Sequence, residues 1–203
     1  RIEFEKDQYD ELYDYIKDKP IKIFSSVWDK SSVDFMSQYT NIMKIGSASI
    51  TDLDLCSYAK SKSTTLLVST GMSTEEEVIS CINSCQPNVI MHTNSTYPTP
   101  VNEINLNYIN WLKSKWTSSD IGYSGHEYGL VTTFAAVAMG CTWVERHLTL
   151  DRNMWGSDQK SSVEPKGLVK LVKGIRDIEA AMGQGGPRTL LKGELAKRES
   201  LRK

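Results

Sequence analysis

Two histidines close two short apolar runs: Gly122-Tyr123-Ser124-Gly125-His126-Glu127 and Val144-Glu145-Arg146-His147-Leu148-Thr149. The small-residue stretch Tyr128 to Gly140 between them reads as a helix. A strand–helix–strand unit of this kind sets both strand ends on one edge of a parallel sheet. Neighbouring imidazoles there suit a divalent metal that completes its shell with oxygen ligands. His126 and His147 are therefore candidate metal ligands. The third histidine of the chain, His92, is read as orienting a neighbour or bonding to backbone.

Polar residues also follow the other apolar runs. Ser25 and Ser26 end the first, Lys44 and Ser47 lie in and after the second, and Ser69 and Thr70 follow the third. His92 to Tyr97 follow the fourth, and Ser124 precedes His126 in the fifth. A lysine inside an apolar strand, as at Lys44, is costly unless a charged partner meets it. One lysine with several hydroxyls on a rim suits a phosphate or carboxylate. Glu145 and Arg146 flank His147, one supporting it and the other pairing outside the sheet. Asp158, in the loop Gly156-Ser157-Asp158, can bind a sugar hydroxyl, hold a water near the metal or simply form a turn.

The elements that must position these groups alternate along the chain. Helices are expected over Phe4–Lys17, Ser31–Tyr39, Leu53–Lys62, Ser73–Cys85, Asn105–Trp116, Leu130–Met139 and Lys166–Met182. Strands are expected at Ile21–Ser26, Asn41–Gly46, Thr64–Val68, Asn88–His92, Ile121–Ser124 and Thr142–His147. Strand ends recur roughly every 20 to 30 residues, the length of a βα unit. This predicts an α/β fold, a (β/α)8 TIM barrel with its site at the strand C-termini. An open doubly wound sheet fits less well, because no glycine-rich loop follows the first strand. Six strands where a barrel needs eight, together with the missing initiator methionine, predict an incomplete barrel with two strands before Arg1.

Composition bounds the function. At 39% hydrophobic and 24% charged residues the chain can bury a core. A formal net charge of −1 gives no basic field for nucleic acid. Trp28, Trp111, Trp116, Trp143 and Trp155 do not interleave with basic residues and read as packing. No apolar run reaches the ~20 residues that span a bilayer. The cysteines, Cys56, Cys81, Cys85 and Cys141, form no C-x-x-C pair. They read as thiols, which implies a reducing, cytoplasmic setting.

Six segments in order carry a family resemblance: Met43-Lys44-Ile45-Gly46-Ser47, Val68-Ser69-Thr70-Gly71-Met72, Tyr97-Pro98-Thr99-Pro100, Gly122 to Glu127, Glu145 to Asp151, and Gly156-Ser157-Asp158. Together they resemble the sialic acid synthase (N-acetylneuraminate synthase) family, with its legionaminate, pseudaminate and spore-coat polysaccharide relatives. The resemblance implies a transferase that condenses phosphoenolpyruvate with an N-acylated hexosamine such as N-acetylmannosamine, releasing phosphate. It implies Mn2+ or Mg2+ on His126 and His147, and Asp158 near the amino sugar. Ser26, Lys44, Ser47, Ser69, Ser95, Tyr97 and Ser124 match phosphoenolpyruvate-site positions. Residues 1–186 would be a partial barrel, and 187–203 a linker towards a C-terminal antifreeze-like domain. A homodimer is implied for the full-length protein. Ser49 and Gln159 depart from a common Glu and His of the family, which leaves the sugar open. A metal-dependent aldolase and a non-catalytic sugar- or anion-binding remnant are the alternatives.

Overall fold

The computed structural model describes residues 4–202. Five strands form one parallel sheet in sequential order: β1 (Ile42–Ile45), β2 (Thr65–Ser69), β3 (Val89–Thr93), β4 (Asp120–Gly125) and β5 (Trp143–Arg146). Helices precede and link them: α1 (Lys6–Ile16), α2 (Lys30–Met36), α3 (Leu53–Lys62), α4 (Glu75–Cys85), α5 (Asn107–Lys115), α6 (Val131–Ala138) and α7 (Pro165–Met182). A short α8 (Leu195–Leu201) follows, in a segment for which no helix is expected from the sequence.

Local chemistry explains several boundaries. Thr74 and Glu77 form a reciprocal capping box at the start of α4, whose first turn is acidic. Asp52 caps α3, and Lys60 and Lys62 complement its C-terminal end. Pro165 opens α7 at a position that needs no amide donor.

The sheet is curved into a half-barrel. Five strands at about 4.8 Å spacing would hold β1 and β5 about 19 Å apart on a flat sheet. Yet Lys44 Nζ of β1 lies 2.5 Å from Glu145 Oε1 of β5. Two side chains cannot bridge a flat sheet of that width, so the outer strands must curl towards each other.

Period-two alternation separates the two faces. Met43, Ile45, Leu66, Val68, Ile90, Ile121 and Tyr123 join the helices in the main core. Leu67, Val89 and Met91, with Ile42, Phe24 and Trp143 against them, make an apolar floor on the concave side. Above that floor the strands end in polar residues.

The structure corrects the expected strand count from six to five. Ile21–Ser26 forms only an isolated parallel bridge, Ser26 to Lys44. Its last residues pair with β1, through Lys44 N to Ser25 O and Val27 N to Lys44 O. Upstream, the Ile23 carbonyl accepts from Tyr13 Oη at 2.8 Å instead of from a neighbouring strand. The reading of all five tryptophans as packing is also corrected, since Trp28, Trp111 and Trp155 are exposed, the last at 98%. All four cysteines are free, as the thiol reading expects, and all are buried. Among the described residues, no helix is long and apolar enough to cross a membrane.

Candidate active site

A cavity of about 380 Å3 opens at the C-terminal ends of the strands. Ser26, Lys44, Ser47, Ser69, Ser95, Tyr97, Ser124, His126 and His147 all line it, so nine of the ten expected site residues meet in one place. Asp158 does not line it, but its Oδ2 lies 3.5 Å from His147 Nδ1. His92 lies on the opposite face of β3, against Tyr108 and Tyr123, with Nε2 2.7 Å from the Ile104 carbonyl. The backbone-bonding reading of His92 therefore holds.

The partner that Lys44 requires is Glu145. It also accepts from Ser124 Oγ at 2.8 Å. Burial pushes the Glu145 carboxyl up, but Lys44, Ser124 and His126 outweigh it and hold the group below the usual carboxylate range. Glu145 thus stays a carboxylate beside Lys44 above the apolar floor. The sequence alone left open which of Glu145 and Arg146 supports His147 and which pairs outside the sheet. The missed signal is spacing: Glu145 and His147 are two apart in one strand direction, as are Ser124 and His126, so each pair shares a face.

His126 and His147 stand with ring centroids 5.1 Å apart, nearly perpendicular at 73°. Tyr97 lies against both, at 4.1 Å from the His126 ring and 5.6 Å from the His147 ring. His126 Nδ1 donates to the Asn94 carbonyl at 2.6 Å, which leaves the lone pair on Nε2. Burial pushes the His126 pKa down, only partly opposed by that carbonyl bond, so the ring is held neutral. A neutral imidazole with an oriented, unengaged nitrogen is a metal ligand in waiting. Among the described residues, no group of three or more His, Cys, Asp or Glu forms a closed metal cage. The donor set fits a metal whose remaining positions go to water and substrate.

Other groups suit an anion. Ser69 Oγ is buried without a hydrogen-bond partner, a donor left for a ligand. Ser47 Oγ accepts from Gly71 N at 3.0 Å, tying the β1 and β2 loops together. A Cβ on Gly71 would sit 2.2 Å from Ser95 Oγ and 2.7 Å from Ser47 Oγ, so glycine is needed for these loops to approach. Ser49 lies in a 3-10 turn and does not line the cavity. Gln159 bonds the Trp155 carbonyl at 3.3 Å. A larger hollow of about 680 Å3 adjoins the site between α4 and α5, but it has no Lys or Arg in its wall and includes Glu75 and Glu103.

Comparison with known proteins gives a consistent result. The profile of the NeuB family matches residues 1–186. The chain is 32% identical to N-acetylneuraminate-9-phosphate synthase of Drosophila melanogaster, over 100% of this chain and 62% of that protein. It is 35% identical to N,N'-diacetyllegionaminic acid synthase of Campylobacter jejuni, over 91% of this chain and 58% of that one. The chain thus spans less than two thirds of either relative's length. The crystal structure of N-acetylneuraminic acid (sialic acid) synthetase from Leptospira borgpetersenii in complex with citrate superposes with a TM-score of 0.87 at 30% identity, covering 98% of this chain and 72% of that one. A truncated 3-deoxy-D-arabino-heptulosonate 7-phosphate synthase of Thermotoga maritima, at 17% identity and a TM-score of 0.76, shares the fold.

Proposed function

The chain belongs to the NeuB family, and from that membership we propose that it carries the catalytic face of a phosphoenolpyruvate-dependent sialic acid-type synthase. In this reading the methylene carbon of phosphoenolpyruvate bonds to the aldehyde carbon of an N-acylated hexosamine. Water adds at the carbon bearing the phosphate oxygen, its proton goes to the new alkoxide, that C–O bond breaks to leave a ketone, and inorganic phosphate departs. The observation that carries the reading is the convergence of Lys44, five serines and two histidines on one cavity.

Each residue has a role that follows from its chemistry. Lys44 and the hydroxyls of Ser47, Ser69, Ser95 and Ser124 hold the phosphate and carboxylate oxygens and fix the enol's approach. Glu145 holds the Lys44 ammonium in place against the mobility of its stem. Ser26 and Tyr97 border the same pocket, and Tyr97 covers the two imidazoles. His126 and His147 would hold Mn2+ or Mg2+, which when bound supplies Lewis-acid polarisation of the aldehyde oxygen. Asp158, against His147, is placed to accept from a sugar hydroxyl or orient a water. The sugar is N-acetylmannosamine or a close N-acyl relative.

Calorimetric titration with phosphoenolpyruvate in the presence of Mn2+ tests the site. Saturable binding that is lost in a His126→Ala, Lys44→Ala double variant supports the proposal. Equal binding to native and variant chains contradicts it.

A further inference from the structure

A second charged pair lies behind the site and touches none of the cavity. Glu127 is 1% exposed at its side chain and Arg146 3%, and their contact, Arg146 Nη1 to Glu127 Oε1, is 3.0 Å. Each is the chain neighbour of a site histidine: Glu127 follows His126, and Arg146 precedes His147. The β4–β5 ladder ends at Gly125 paired with Arg146, so neither histidine lies within it. Beyond the ladder the Arg146 side chain takes over. Its Nη2 donates to the Glu127 backbone carbonyl at 2.7 Å, and Nη1 donates to the Gly129 carbonyl at 2.7 Å. Glu127 in turn accepts from Tyr123 Oη at 2.8 Å and from Thr132 Oγ1 at 2.5 Å. The guanidinium therefore grips both the carboxylate and the main chain of the residue next to His126.

A buried ion pair is an expensive way to hold two strands. Desolvation of two charges can exceed their attraction, and apolar residues of similar volume often serve stability as well or better. What the fork of an arginine adds is direction, since its donors fix distance and angle together. We propose that Glu127 and Arg146 are positioning residues that set the spacing and orientation of His126 and His147 for a shared divalent cation. The inference rests on the metal reading given above. It assigns the pair no contact with substrate.

The test is an Mn2+ titration followed by the loss of the free-ion electron paramagnetic resonance signal, with Tm measured on the same samples. The chains compared are native and the double variant Glu127→Gln, Arg146→Met, which leaves no unpaired buried charge and keeps an acceptor for Tyr123. The expected result is a Tm within a few degrees of native with Mn2+ affinity weaker by about 10- to 100-fold, the range for losing outer partners of a metal ligand. Native affinity in the double variant overturns the inference while leaving the metal reading intact. A native chain that binds no Mn2+ overturns the metal reading, and the inference with it. Should the double variant lack a cooperative melt, Arg146→Lys decides: it keeps the charge but not the fork, and native Mn2+ affinity in it overturns the inference.

Discussion

Among the described residues, Lys44 carries the only ammonium in the wall of the cavity, and it is held there by Glu145. A charge-assisted hydrogen bond contributes about 1.5–3 kcal/mol, so Lys44→Met should weaken phosphoenolpyruvate binding by roughly 10- to 100-fold, read by titration calorimetry. Unchanged affinity would remove Lys44 from the site. His92 makes a second residue-level prediction. Burial lowers its pKa, against the opposing bonds to the Ile104 and Asn105 backbone. The unfolded chain therefore takes up a proton at His92 more readily than the folded one. The associated stability is whole above the ordinary value of 6.5 and is lost as pH falls through the lower, folded value. Tm should drop between pH 7 and 5, and the drop should be shallower in His92→Gln. Most of the site was legible from residue types at strand ends. Glu145 was underrated because a carboxylate inside a strand reads as support for its neighbour, and its true partner lies 101 residues away in the chain.

At the scale of elements, the contact of α6 with α7 depends on a missing side chain. A Cβ on Gly174 of α7 would meet Phe134 Cζ at 2.5 Å. Gly174→Val should cost about 1–3 kcal/mol through overpacking, despite the better helix propensity, and thermal melts would report it. A neutral or raised Tm would show that the α6–α7 seam is loose. Helices and inner strands were readable from the alternation of apolar and polar residues, as over Leu53–Lys62. Ile21–Ser26 was not, because β-propensity cannot reveal that a tyrosine ten residues earlier takes the Ile23 carbonyl. The helix over Leu195–Leu201 was hidden by its charge density, which resembles that of a solvated linker.

At the scale of the whole molecule, curvature makes the site. Sequential parallel pairing alone is compatible with a flat sheet, but only a curled one lets β1 and β5 share the Lys44–Glu145 pair. The alternation of elements made a barrel-like fold legible in the sequence. The curvature was not, because it is a property of strand twist and packing summed over the sheet. The apolar floor of Leu67, Val89 and Met91 underlies the cavity, which opens at the strand C-termini, where barrels generally carry their sites. The most direct test of the central claim is phosphate release from phosphoenolpyruvate with Mn2+ while N-acetylmannosamine is varied. Release should rise with the sugar, saturate, and stop on addition of a chelator. Release that ignores the sugar, or persists with the metal stripped away, would contradict that claim.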